Sequence, residues 1–412
     1  MILAPLTRAN HVPFRELTVK YGAEATMSEM AFARNLTARR PNLVELSRLR
    51  RSAAEPLYGV QVATKQIDEC VRAGLLAAEA GASWLDLNCG CPIHEATRRG
   101  LGATLLRKPK KLARLVRETA AAIPIPMTVK IRTGEKEKKI NVLEVVEALQ
   151  DTGIAAVSIH GRTKEARYTR AARWDLIRDA VAASQVPVVG NGDVLTHYEA
   201  RDKLRASGAH AVMVGRGALI KPWIFQEFKE NRVMLPTTRE RIGIYMELVD
   251  LMKTYFGDDA RGRSKAWYFF PWHFSFLCRY RPMPEDMFLE ASREHPLINS
   301  RFDVAVAGLE GHPDGRDLPP LERLLRCQYD DAHEALASIL WDEGPDEGAV
   351  LAALQRAADT DLPGWDAARR GVAEEEARAE RERAERRTAR SGGDGEGGDS
   401  EEEEEPDALV LG

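Results

Sequence analysis

Short apolar runs alternate with amphipathic stretches from the first residue to about residue 230. Eight runs have strand length, at residues 2–5, 25–30, 57–63, 84–88, 127–131, 155–160, 186–190 and 211–215. Between the later runs, residues 65–80, 110–122, 142–152, 174–183 and 198–206 repeat their apolar positions with helical spacing. This alternation predicts parallel βαβ units. Eight runs in so short a chain suit a closed (β/α)8 TIM barrel, an α/β fold, better than an open sheet. Beyond residue 231 the strand signal stops. Residues 239–256, 264–280, 284–293, 318–336 and 349–358 read as helices, and 308–320, rich in Gly, Pro and Asp, reads as a loop. Residues 374–390 are nearly all Glu, Arg and Ala and offer no apolar face, and 391–406 have a disordered composition. The chain is therefore divided into a barrel at 1–231, a small all-helical domain at 232–367 and a charged acidic tail at 368–412.

What ends each run sharpens the reading. The ends carry Pro5-Leu6-Thr7, Glu29, Gln61, Asn88 with Cys91, Lys130 with Arg132, His160 with Arg162, Asn191-Gly192-Asp193, and Gly215-Arg216. Barrel enzymes build their sites at the carboxyl ends of the strands, so these residues point to one shared site. Residues 84–106, WLDLNCGCPIHEATRRGLGATLL, are the most distinctive stretch. A strand stops at Gly90 and Pro92 and leaves Cys91 on a loop. The thiol is either reactive or an inert core cysteine. A zinc site of Cys89, Cys91 and His94 lacks a fourth ligand, so no metal is expected. The glycines after the seventh and eighth runs, with Arg216, suit a phosphate. Lys130 in a buried strand must be paired, by a salt bridge or by an anionic ring such as a reduced flavin. His160 is equally a structural hydrogen bonder or a ligand contact. Gln61 offers a donor and an acceptor to a heterocycle edge.

Composition sets the class. Hydrophobic residues are 44% and charged residues 30%, the balance of a soluble globular protein. No run approaches membrane-spanning length, and no signal-peptide pattern follows Met1. Five cysteines without a disulfide spacing suggest a reducing compartment, the cytoplasm first and the nucleus second. The net charge of −4 hides an asymmetry. Residues 371–412 hold 15 acidic and 6 basic residues, which leaves 48 acidic against 53 basic before them. A mildly basic body is compatible with a polyanionic partner. In residues 268–281 aromatics interleave with basic residues. The rings read as helical core, and Arg279 and Arg281 as phosphate contacts.

The motifs ILAPLTRANHVPFR, MSEMAFARNL, YGVQVA, LDLNCGCPIHEATRRGLGATLL, TVKIRTG, HGRTKEARYTRAARW, VVGNGDVL and VGRGALIKPWIF, with FSFLCRY further on, resemble the tRNA-dihydrouridine synthases. The likeness is greatest to their eukaryotic branch acting on the tRNA variable loop. It covers about residues 1–300, and NxGCP followed by GxGAxLL is its most specific part. The resemblance implies an FMN-bound barrel, a helical domain that grips tRNA, and NADPH as reductant. It implies Cys91 as the catalytic acid. The implied FMN contacts are Pro5, Leu6, Thr7, Gln61, Lys130, His160, Asn191, Gly192, Asp193, Gly215 and Arg216. The implied substrate is the uridine at position 47 of tRNA, with messenger RNA as a further one, and a monomer is expected. Cys89 stands where the family is usually apolar. That branch carries a zinc-finger region before the barrel, and this sequence opens directly on its first apolar run. Two other readings stay open: a flavin ene-reductase or dihydropyrimidine oxidoreductase acting on a small molecule, and a non-catalytic RNA-binding barrel.

Overall fold

The computed structural model describes residues 1–298, 318–369, 371 and 378. The readings of 308–317 as a loop, and of 374–390 and 391–406 as a charged helix and a tail, lie outside these residues, Arg378 excepted. Contacts divide the chain into two compact units. The first holds residues 1–269 with the described residues from Tyr280 to Ile298; the second holds Phe270–Arg279 with the described residues from 318 onward.

The first unit contains a closed barrel of eight parallel strands, β1 Ile2–Leu3, β2 Ala25–Met27, β3 Leu57–Ala63, β4 Trp84–Cys89, β5 Met127–Arg132, β6 Ala156–His160, β7 Val188–Asn191 and β8 Ala211–Val214. Each strand pairs with the next, and β1 pairs with β8 to close the ring. The eight expected runs are these eight strands. A two-residue strand, Ala31–Phe32, continues the line of β2 along the same edge of β3, opposite Val62 and Ala63.

Alternation along each strand sorts the residues to two faces. Val60, Val62, Leu85, Leu87, Val129, Ile131, Val157, Ile159 and Val188 pack outward against Cys70, Ala73, Leu112, Val116, Val145, Val146, Ile177 and Ala180 of the surrounding helices. The inward face is apolar at the amino ends, where Ala4, Met27, Val189 and Met213 cluster with Trp84. Toward the carboxyl ends the buried members of the other parity are polar: Gln61, Asp86, Asn88, Lys130, Arg132, His160 and Asn191. The barrel is thus plugged at one end and chemically equipped at the other.

Three helical readings differ from the fold. Helix Val12–Lys20, capped by His11, had no sequence signal, because its buried face holds Arg15 and Thr18 beside Phe14 and Leu17. The helix read over 264–280 is two, Ala260–Trp267 and Phe270–Leu277. It breaks where Phe269 stacks on His11 with centroids 3.6 Å apart. The helix read over 318–336 is also two, Pro320–Leu325 and Asp330–Glu343, with His333 Nε2 3.0 Å from the Cys327 carbonyl across the gap. Helix Thr238–Phe256, fixed by a Thr237–Glu240 capping box, packs on Val12–Lys20 and groups with the barrel by contact. Among the described residues no helix is long and apolar enough to cross a membrane.

One buried ion pair ties the first helix to the loop before β3. Arg15 Nε donates to Glu55 at 2.7 Å, and both side chains are essentially inaccessible. Glu55 also accepts from Thr26 Oγ1 and the Ser52 amide. Glu55→Ala leaves a buried guanidinium without its partner and should cost about 3–5 kcal/mol, read by urea denaturation.

Candidate active site

Strand β4 ends in the loop that carries Cys91. Asn88 Oδ1 accepts from the Cys91 amide at 2.9 Å and the Gly90 amide at 3.2 Å. Asn88 Nδ2 donates to Gln61 Oε1 at 2.8 Å, and Gln61 Nε2 donates to Asp86 Oδ2 at 2.8 Å. Thr128 Oγ1 donates to Asp86 Oδ1 at 2.6 Å. A carboxylate only accepts, so Asp86 fixes which way Gln61 faces, and Gln61 fixes Asn88. The Cys91 backbone is held at the end of this relay. Burial raises the Asp86 carboxyl to about 6, against the hydrogen bonds from Thr128 and Gln61 and the charge of Lys130.

The loop is fastened from two further sides. Arg132 Nε donates to the Gly90 carbonyl at 2.7 Å, and its NH1 to the Thr163 carbonyl at 2.7 Å. Gly102 has φ +61° and lies so close that a Cβ there would stand 2.5 Å from the Cys91 carbonyl oxygen. Ala103 N donates to that same oxygen at 3.1 Å. Cys91 itself is half-buried, whereas Cys70, Cys89, Cys278 and Cys327 are buried. Cys89 belongs to the outward, helix-facing core and burial raises its thiol far up, so it takes no part in the mouth.

Across the mouth a second network joins β5, β6 and β7. Lys130 Nζ donates to Asn191 Oδ1 at 2.9 Å, and Asn191 Nδ2 to the Met213 carbonyl at 2.8 Å. Arg162 NH2 grips both Asp193 oxygens, at 2.7 and 2.8 Å, and Arg162 NH1 lies 3.3 Å from His160 Nε2. Arg216 reaches the same carboxylate at 3.4 Å. Gly192 and Asp193 turn the chain with φ of +128° and +51°. The Tyr168 ring lies 4.1 Å from the Arg216 guanidinium carbon. Burial, then Arg132, Lys130, Arg162 and Arg216, push His160 far below its ordinary value, so it is neutral at pH 7. Burial and Arg132 lower Lys130 to about 8, against Asp86 and Cys91.

A family model for dihydrouridine synthases matches residues 2–276. This chain belongs to the dihydrouridine synthase family. Among curated relatives, the "tRNA-dihydrouridine(47) synthase [NAD(P)(+)]-like" protein of Homo sapiens is 36% identical over 285 residues, 69% of this chain and 43% of its own length. Its counterpart in Xenopus tropicalis is 37% identical over 69% of this chain and 44% of its own length. The "tRNA-dihydrouridine(47) synthase [NAD(P)(+)]" of Coprinopsis cinerea is 35% identical over 76% and 48% respectively. The chain thus matches less than half the length of these relatives.

Within this dihydrouridine synthase barrel, Lys130, His160, Asn191, Gly192, Asp193 and Arg216 come together as one cluster. Gln61 and Cys91 join through Asn88. Pro5 and Leu6 stand at the end of β1, where a Cβ on Gly215 would meet Leu6 Cδ2 at 3.3 Å. Thr7 is exposed on that loop. In the second unit Arg279, read as a phosphate contact, is largely buried with its guanidinium 5.9 Å from the Phe276 ring. In the first unit Arg281 NH1 donates to the Tyr280 carbonyl. Asp86 and Tyr168 were not among the expected site residues. Asp86 had a signal, since a carboxylate within an apolar strand run must find partners; Tyr168 had none.

Cys91 is the one cysteine of five that is not buried. A disulfide reagent should therefore titrate one fast thiol in the native protein. Cys91→Ala should abolish that phase; a fast phase that survives would place the accessible thiol elsewhere.

Proposed function

We propose that this protein is a flavin-dependent tRNA-dihydrouridine synthase that holds FMN in the barrel mouth, takes electrons from NADPH and uses Cys91 as proton donor to a uridine. The observation that carries the reading is the half-buried Cys91, fastened at the lip of a mouth that is short of negative charge. Four cationic side chains, Lys130, Arg132, Arg162 and Arg216, gather there against two carboxylates, Asp86 and Asp193. Lys130 has no carboxylate in ion-pair contact among the described residues. A phosphate-bearing, electron-rich ring answers that imbalance, so the residues fit a flavin mononucleotide. Lys130, His160, Asn191, Gly192, Asp193, Gly215 and Arg216 would hold it, with Gln61 at the ring edge and Pro5, Leu6 and Thr7 beside it. Gln61 keeps one donor hydrogen and one lone pair beyond those used by Asp86 and Asn88.

When bound, the flavin supplies hydride, which C6 of a uracil accepts because its C5=C6 bond is conjugated to the C4 carbonyl. Negative charge then develops on C5 and O4, and Cys91 gives its proton to C5. The role requires the thiol to present its proton to C5. Asn88 and Arg132 place the loop so that the thiol need not search. A uridine in folded RNA must leave its stack to reach such a mouth. The relatives are named for position 47, which supports a variable-loop uridine of tRNA as substrate. Five free thiols support a reducing compartment, the cytoplasm or nucleus.

Two measurements check this. Cys91→Ala should keep bound flavin and NADPH oxidation, and lose about 100-fold or more of dihydrouridine formation, read by mass spectrometry of tRNA. Product formation at the original rate would remove Cys91 from the mechanism. Flavin affinity should begin to fall above about pH 8, where free Lys130 loses its proton and with it a charge that binds the anion. Lys130→Met should bind more weakly at pH 7 and lack this inflection in a fluorescence titration.

A further inference from the structure

Beside the mouth lies a cavity of about 640 Å³ that the proposed chemistry does not use. It is lined by Phe32, Arg34, Ala63, Lys65, Arg99 and Leu101, together with Asn35, Gln66 and Glu69. Its apolar wall is shared with the reactive loop. Ala63 and Leu101 pack with Met30 and Ala96 in one small cluster, and Phe32 and Cys91 lie against that cluster. The cavity lining and Cys91 thus share one small apolar cluster.

Its polar wall carries unanswered positive charge. Arg34 is exposed and makes no ion pair among the described residues. Lys65 Nζ donates to the Arg99 carbonyl at 2.8 Å, a neutral acceptor, and has no carboxylate partner among the described residues. Arg99 is paired with Glu95, and its guanidinium carbon lies 5.2 Å from the centre of the Phe32 ring. The one carboxylate in the lining, Glu69, accepts from Thr64 Oγ1 at 2.6 Å.

Resting on the reading of Cys91 as the acid that meets an extruded uridine, we propose that this cavity seats the sugar-phosphate of a neighbouring nucleotide in the same RNA strand. Arg34 and Lys65 meet the phosphate, and Phe32 offers a face to the sugar or base. Contiguity selects this occupant. A base whose C5 meets the thiol has its neighbours in the chain one nucleotide away, and the cavity shares the apolar cluster against which Cys91 packs. Two charge-assisted contacts and a cavity of ligand size make the seat specific for a polyanion with a planar group.

The test is RNA binding and turnover by the full chain with Arg34→Glu, Lys65→Gln and the double variant. Arg178→Glu, on the barrel's outer helix Trp174–Ala183, controls for net charge. Each cavity variant should weaken binding of a tRNA transcript roughly tenfold and make the slope of log affinity against log salt shallower by about 1. KM for RNA should rise while kcat at saturating RNA and KM for NADPH stay as in the parent. RNA affinity equal to that of the parent, or an equal loss in Arg178→Glu, would overturn the assignment. So would a rise in KM for NADPH alone, which would give the cavity to the reductant. The binding titration needs no turnover. A parent protein that makes no dihydrouridine would therefore defeat the function reading and still leave the cavity to be judged.

Discussion

A carboxylate sealed inside a barrel can only accept hydrogen bonds, and this asymmetry sets the geometry at the mouth. Asp86 takes one bond from Thr128 and one from Gln61. With its nitrogen committed, Gln61 can offer only oxygen to Asn88, and Asn88 then has only oxygen left for the Cys91 loop. Reversing any amide in the series would set donor against donor among buried groups. One acidic group therefore dictates orientation across strands β3, β4 and β5 and the loop beyond.

The electrostatics of the mouth run against folding and toward ligand binding. Burial, with the charges of Arg132, Lys130, Arg162 and Arg216, holds His160 neutral, and burial with Arg132 draws the Lys130 ammonium down. Gathering like charges away from water costs stability, which other parts of the barrel supply through apolar packing. Asp193 offsets part of it by bridging Arg162 and Arg216. The remaining excess is the feature an anionic ligand relieves.

Much of this was legible in the sequence because parallel strands are buried on both faces and read as unbroken apolar runs. The residues that end those runs share one parity, so Gln61, Lys130, His160 and Asn191 were bound to converge once the barrel closed. Asp86 escaped because it lies within a run rather than at its end, and its role depends on what β3 and β5 bring beside it. Tyr168 lies on an irregular loop with no periodicity to place it. The helix Val12–Lys20 was hidden by Arg15, a charged residue on a buried face that makes sense only with Glu55 from a distant loop. The breaks within 264–280 and 318–336 follow from ring stacking and a histidine bond that no local pattern announces.

Arg132 has a mechanical consequence. Its guanidinium bonds the carbonyl of Gly90 on one rim and that of Thr163 on the other. The segment bearing the sulfur and the segment leading to Tyr168 are thereby strapped together by one side chain. Shortening that strap would let both rims drift at once, and the sulfur would lose its aim although the thiol and its amide anchor were intact.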